Sequence, residues 1–448
     1  MTEQRQTGIS EVVPDRPAAK TVAIATLGCK TNQFESAAIE DQLREAGYRV
    51  VPFEEGADLV IVNTCTVTAA TDSQSRNLIR RARRINFDSR VIVTGCYAQV
   101  DADALRKIPG VALVIGNEEK QDLLRYLSEE REEQLVEIGD IRQRRQAVPL
   151  QVSSFAERSR AFVQVQNGCD SFCSYCIIPF ARGTSRSVVP QQVVDQVKSL
   201  HAAGHPEIVL TGIHLGIYGL DLHPPTNVLE LVQRLCSETD VPRLRFGSLE
   251  PTEISDDLLT LMTESDRICP HLHIPLQSGS DTVLQRMNRH YRVADFHALV
   301  DRIHRLMPDA AIGLDVIAGF PGESDAEHQQ TRRLLEELPI SHLHVFPFSR
   351  RPGTAAAAMP DQLPGDLIKQ RAAELRITGE DKNRQFSERF AGQVVEVVVE
   401  GANEEGLYRG MSRNYLTVVF PGSEALRGRR TWVRLESWTP GGLRGTLV

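Results

Sequence analysis

The run AFVQVQNGCDSFCSYCIIP, residues 161–179, joins an apolar segment to three cysteines within eight positions, Cys169, Cys173 and Cys176. The apolar segment reads as a strand, and the thiols follow its carboxyl end. A closed tetrahedral zinc site or a complete iron–sulfur cluster normally takes four protein ligands. Three thiolates spaced Cys-x3-Cys-x2-Cys can hold three irons of a [4Fe–4S] cube, leaving the fourth iron for another ligand. The competing reading is a zinc site completed by His271, His273 or Cys269, although zinc favours CxxC pairs.

Working outward, five more apolar runs follow this one: EIVLTGIH (207–214), RLRFGSLE (243–250), HLHIPLQS (271–278), AAIGLDVIAGFPG (310–322) and SHLHVFPFS (341–349). Helical patterns such as PQQVVDQVKSLHAAG (190–204) and NVLELVQRLCSE (227–238) separate them. Six strands alternating with helices predict a partial (β/α)6 barrel over residues 155–385, with its working loops at the carboxyl ends of the strands.

Upstream, a strand-to-cysteine turn occurs three times: TVAIATLGCK (21–30), ADLVIVNTCTVT (57–68) and SRVIVTGCYAQ (89–99). The helical stretches QFESAAIEDQLREAGY (33–48) and DSQSRNLIRRARRI (72–85) lie between them. This alternation predicts an open parallel α/β domain over residues 21–130. In such sheets the ligand crevice lies beyond the carboxyl ends of the strands. Cys29, Cys65 and Cys96, 36 and 31 positions apart, are therefore expected to meet there. Residues 126–158 (SEEREEQLVEIGDIRQRRQ and its flanks) are charge-rich and read as a partly helical linker. Residues 388–448 are β-rich with glycine turns and predict a small closed barrel of the oligonucleotide-binding kind.

Composition sets the frame. The 448-residue chain has 41% apolar and 25% charged residues and a net charge of −8. That is a soluble multidomain pattern rather than a generally basic nucleic-acid coat. Basic clusters remain at Arg76, Arg80, Arg81, Arg83 and Arg84, and at Arg427, Arg429, Arg430 and Arg434; either can be a solvated face. No apolar run approaches the roughly 20 residues that span a bilayer. The polar opening, residues 1–20, carries no secretory pattern and is expected to be a disordered lead-in. Eight cysteines without that pattern read as reduced thiols in a cytoplasmic protein, available for metal or catalysis.

With Tyr175 before its last cysteine, the Cys169–Cys173–Cys176 motif resembles the signature of the radical S-adenosylmethionine superfamily. The resemblance implies that the open iron chelates S-adenosylmethionine and that one electron from the cluster releases a 5′-deoxyadenosyl radical. It also implies cofactor contacts at Thr211 and Gly212, where glycine permits close backbone approach, at Gln277, Ser278 and Gly279, and along GLDVIAGFPGE (313–323). Each of these loops is also readable as an ordinary turn.

From Thr21 to Val448 the chain resembles the radical S-adenosylmethionine methylthiotransferases. The matching motifs are LGCKTNQFES, NTCTVT and TGCYAQ, then GCDSFCSYCIIP, LQSGSDTVLQRMNR and AGFPGE, followed by an RNA-binding TRAM domain. CIIPFARG, LTGIHLGIYG, LQRMNRHY and HVFPFSRRPGTAA are most similar to the branch acting on N6-threonylcarbamoyladenosine at position 37 of tRNA. Phe180 stands where the family normally shows tyrosine. Cys236 and Cys269 fall outside both cysteine motifs and read as structural.

The resemblance implies two [4Fe–4S] clusters. An auxiliary one at Cys29, Cys65 and Cys96 presents sulfur, and a radical-generating one sits at Cys169, Cys173 and Cys176. It further implies a flavodoxin- or ferredoxin-like electron donor and a sulfur source that the residues do not name. An anticodon stem-loop offers an unstacked base to bind. In the TRAM domain Tyr408, Tyr415 and Trp432 alternate with Arg409, Arg413 and Arg430, which suits stacking and phosphate contact; the aromatics are also readable as barrel core. Three alternatives stand beside this reading. They are the branches acting on isopentenyladenosine-37 or on a ribosomal-protein aspartate, and a non-catalytic zinc-bearing RNA-binding protein.

Overall fold

The computed structural model describes residues 20–128, 133–147, 150–155 and 158–448. The expected lead-in, Lys20 apart, lies outside them. The first sheet comprises β1 (Thr21–Thr26), β2 (Arg49–Val50), β3 (Leu59–Thr64), β4 (Arg90–Gly95), β5 (Val111–Ile115) and β6 (Leu135–Glu137). They run in the order β2-β1-β3-β4-β5-β6, and every pairing is parallel. All six residues of β3 are buried, as befits a central strand covered on both faces.

The sixth strand corrects the linker expectation. Leu135–Glu137 falls within the charge-rich stretch yet pairs with β5. Only Leu135 is partly covered, while Val136 and Glu137 are exposed. Short, charged strands at an edge stop a sheet from recruiting further partners, so charge here marks an edge and not a tether.

The second unit contains β7 (Arg160–Gln164), β8 (Gln166–Asn167), β9 (Arg186–Ser187), β10 (Glu207–Thr211), β11 (Arg243–Phe246), β12 (His271–Gln277), β13 (Ala311–Ala318) and β14 (His342–Pro347). Two parallel three-stranded sheets, β11-β10-β7 and β12-β13-β14, are joined by single bridges, Leu244 to Ile268 and Ser248 to His273. The result is the expected six-stranded partial barrel. Among the described residues no pairing joins β7 to β14, and the first domain lies against both edges. Helix Lys30–Glu45 buries Ile39 and Leu43 on its own sheet and Phe34 and Ala38 in the barrel's core cluster. At the other edge Ala69 N donates to Ser349 Oγ at 2.9 Å.

The long helix Gly365–Glu388 leads to β15 (Val394–Ala402), β16 (Tyr408–Ser412), β17 (Thr417–Phe420), β18 (Arg430–Thr439) and β19 (Gly442–Leu447). These close as β15-β16-β17-β19-β18. An ionic floor joins this barrel to the larger one. Glu207 is fully buried with Arg245 at 2.7 Å, Arg243 at 3.4 Å and Arg160 at 3.7 Å. Arg243 also reaches Met411 O at 3.0 Å, and Arg245 reaches Ser412 O at 3.1 Å. Burial alone would raise the Glu207 carboxyl, but the three guanidinium groups hold it at about 2.

A carboxyl held below its ordinary value stabilises the fold above pH 4.5, and that contribution fades as pH falls toward 2. Glu207→Gln is therefore expected to cost about 3–5 kcal/mol in urea unfolding at pH 7 and to flatten the acid limb of stability. An unchanged midpoint would contradict the ionic floor.

Candidate functional site

Parallel register brings the carboxyl ends of β1, β3 and β4 level, with Thr26 opposite Asn63 and Thr64 opposite Gly95. The three cysteines that follow therefore share one edge. Two glycines make the turns possible. Gly28 has φ +96°, and a Cβ there would lie 2.8 Å from Cys65 Sγ. Gly95 has φ +95°, and a Cβ would lie 2.6 Å from Thr64 N. Neither conformation nor space admits a side chain. Cys29 is exposed, whereas Cys65 and Cys96 are buried. The Cys65 thiol is pushed up to about 12, chiefly by burial and then by the neighbouring charges of Cys96 and Cys29. Three neighbouring thiolates, two of them buried, repel one another unless a cationic group lies among them. That donor chemistry fits a metal cluster.

The second trio occupies the loop after β8. Cys176 N donates to Cys173 O at 2.9 Å, and Ser171 N to Cys169 Sγ at 3.5 Å. His214 Nδ1 lies 3.5 Å from Cys169 Sγ, while its Nε2 meets Glu253 at 2.5 Å. Burial would lower the His214 imidazole, yet Cys169 and Glu253 raise it to about 10. Burial would likewise raise the Cys169 thiol, but the hydrogen bonds of His214 and Ser171 bring it below its ordinary value. Arg289, paired with Glu250, lies 3.5 Å from Cys173 Sγ. Cys176 is pushed up to about 12, chiefly by burial and then by its two cysteine neighbours.

Among the described residues, His273, Asp315 and His344 bring three metal-ligating atoms within 4.8 Å of one another.

A cavity of about 200 Å³ is lined by residues that neighbour Cys65 and Cys176 in sequence. Val67 and Thr68, just after Cys65, form one wall, and Tyr175, between Cys173 and Cys176, forms another. Gln277, Asp315, Phe346 and Phe348 complete much of the lining. The structure thus brings Tyr175 and Gln277 together, with Gln277 in the left-handed region at φ +64°. Thr211, Gly212, Ser278 and Gly279 do not line this cavity. Gly212 packs on Gln166, and Gly279 N donates to Thr331 Oγ1 at 2.9 Å. A larger groove of about 560 Å³, lined by Asp41, Gln42, Glu45, Asp195 and Gln196 among others, contains none of the cysteines.

Asp315 lies within GLDVIAGFPGE (313–323), where the sequence does not single it out. It accepts from His273 at 2.8 Å and His344 at 3.3 Å. Its signal was only the alternation of β13, which turns residue 315 to the lumen while Leu314 and Val316 enter the apolar core. Arg182, Lys120 and Arg351, all buried beside the first trio's loops, carried no local signal.

The proposed RNA residues divide. Tyr408 is buried in the small barrel's core, with its hydroxyl on Glu424 at 3.2 Å. Tyr415 stacks on His271 with ring centres 4.2 Å apart, and Arg413 donates to Ile268 O at 3.1 Å. These three face inward or toward the larger barrel, with Arg413 and Tyr415 half-buried. Arg409 and Arg430 are exposed, as is Trp432 at 54%.

This combination of a partial barrel, a three-cysteine loop and a cysteine-bearing α/β domain is that of a radical S-adenosylmethionine enzyme. Residues 163–335 match the Radical SAM superfamily, and residues 21–116 match a family described as Uncharacterized protein family UPF0004. A threonylcarbamoyladenosine tRNA methylthiotransferase MtaB of Bacillus subtilis is 40% identical over 93% of both chains. The MtaB of Thermotoga maritima is 35% identical over 95% of this chain and 96% of its own. A tRNA-2-methylthio-N(6)-dimethylallyladenosine synthase of Moorella thermoacetica is 32% identical over 96% and 99%. The radical S-adenosylmethionine methyltransferase TsrM of Kitasatospora setae shares the fold at a TM-score of 0.53 and 18% identity, over 74% of this chain and 75% of its own. The chain belongs to the methylthiotransferase family of radical S-adenosylmethionine enzymes.

In metal-free protein, exposure and thiol acidity set alkylation rates. Timed iodoacetamide labelling at pH 8 with peptide mass spectrometry is expected to modify Cys29 and Cys169 before Cys65 and Cys176. Equal rates would contradict the burial described here.

Proposed function

We propose that the protein methylthiolates C2 of N6-threonylcarbamoyladenosine at position 37 of tRNA, giving 2-methylthio-N6-threonylcarbamoyladenosine. The observation that carries this reading is a cavity lined both by Val67 and Thr68, just after Cys65, and by Tyr175, just before Cys176. Cys29, Cys65 and Cys96 hold an auxiliary [4Fe–4S] cluster, and Cys169, Cys173 and Cys176 hold the one that binds S-adenosylmethionine. When bound, these groups supply the one-electron chemistry needed to replace an unactivated C–H bond.

The chain's own residues do the positioning. His214 and Arg289 set charge and hydrogen bonds beside Cys169 and Cys173. Tyr175, Phe346 and Phe348 offer flat apolar surface to an extruded base, and Gln277 and Asp315 offer polar atoms to its edge. Arg430 and Trp432, on the outward face of β18, and Arg409 on β16 are proposed to contact the anticodon stem-loop. A flavodoxin- or ferredoxin-like protein delivers the electrons. Among the described residues no helix is long and apolar enough to cross a membrane.

Nucleoside mass spectrometry on total tRNA from cells lacking the gene, with and without its return, tests the reading. The 2-methylthio-N6-threonylcarbamoyl nucleoside should vanish and reappear. Cys176→Ala should fail to restore it, whereas Cys236→Ala should restore most of it. Loss of the 2-methylthio-isopentenyl nucleoside instead would move the substrate to the other tRNA branch. No nucleoside change would point to a ribosomal protein.

A further inference from the structure

Arg182 ends the short helix Ile178–Arg182, six positions after Cys176, and is 0% exposed. Its guanidinium belongs to the barrel but bonds into the first domain. It donates to Glu35 at 2.7 and 3.1 Å and to Asn32 Oδ1 at 2.5 Å, and on its own side to Asn167 at 3.1 Å. Asn32 Oδ1 lies 3.9 Å from Cys29 Sγ. Lys120, also buried, meets Glu35 at 2.6 Å and Asn117 at 2.9 Å. Asn117 Nδ2 lies 3.9 Å from Cys96 Sγ and donates to Ala181 O at 2.7 Å.

The charges in this cluster do not cancel. Two cations, Arg182 and Lys120, share one carboxylate, Glu35, which they hold at about 2 against its burial. The adjacent Arg186–Glu118 pair, 3.2 Å apart, is neutral. Burial lowers the Lys120 ammonium and Glu35 opposes that; with Lys120 protonated the cluster holds one positive charge beyond its carboxylate, which is costly unless an anion faces it. The other acidic side chains beside Arg182 are Cys96 and Cys29, whose thiolates would supply that anion when they hold a metal group. Arg182 Nε is also buried without a hydrogen-bond partner, so a donor is left over on the side chain beside those cysteines.

We propose that Arg182, assisted by Lys120, balances the negative charge of the group held by Cys29, Cys65 and Cys96, and is the positioning residue that sets its reduction potential. The proposal rests on the two-cluster reading. A cation in a low-dielectric site favours the more negative, reduced form of a neighbouring cluster. Hydrogen bonds to cluster sulfur act in the same direction.

The test uses the full-length chain with Cys169, Cys173 and Cys176 all changed to alanine, reconstituted anaerobically, and a redox titration followed by electron paramagnetic resonance. Arg182→Gln should move the auxiliary potential negative, and Glu35→Gln should move it positive. Arg182→Lys should stay nearer the parent than Arg182→Gln. Opposite signs are the decisive readout, since a merely structural role would disturb both variants alike. Should Arg182→Gln fail to hold iron, Glu35→Gln and Arg182→Lys carry the test. Potentials that ignore all three changes, or that shift in one direction for both charge removals, overturn the proposal. A parent that holds no cluster before Arg182 is touched overturns the two-cluster reading itself, and the proposal with it.

Discussion

Two arginines of the barrel reach into the first domain and end beside its cysteine loops. Arg182 meets Glu35, and Arg351 meets Asp72 and Thr66, each at 2.7 Å. Thr66 follows Cys65 directly, and Asn32, which Arg182 also holds, lies by Cys29. These ion pairs are almost wholly buried, and such pairs seldom add much net stability once desolvation is counted. What they add is geometry, because a guanidinium fork accepts few relative positions of two domains.

The two trios differ in how they were readable. Cys169, Cys173 and Cys176 are local, and their spacing alone implies a shared occupant. Cys29, Cys65 and Cys96 became a set only through the repeated strand-to-cysteine turn, since parallel strands of equal length bring their ends together. The strand pattern was legible for the same reason. Apolar runs bounded by glycine recur through both α/β units, and the structure places a strand on each of them.

What stayed hidden depends on partners far away in the chain. Arg182 and Glu35 are 147 positions apart, and Arg351 and Thr66 are 285 apart; no window of sequence contains either pair. Asp315 looked like one polar residue in an apolar strand. Tyr408, Tyr415 and Arg413 shared their composition with an RNA-binding face, but a barrel of this size needs aromatics inside, and its seam with the larger barrel needs cations. Leu135–Glu137 looked like a linker because an edge strand carries charge for the same reason a linker does. Cys236, 3.9 Å from Ser265, and buried Cys269 remain outside both trios.

The most direct test of two open clusters facing one cavity is a count of iron and acid-labile sulfide after anaerobic reconstitution. The full chain should hold about eight irons, and replacing either trio with alanine should leave about four. Four irons in the full chain and none after loss of a single trio would contradict it, as would stoichiometric zinc.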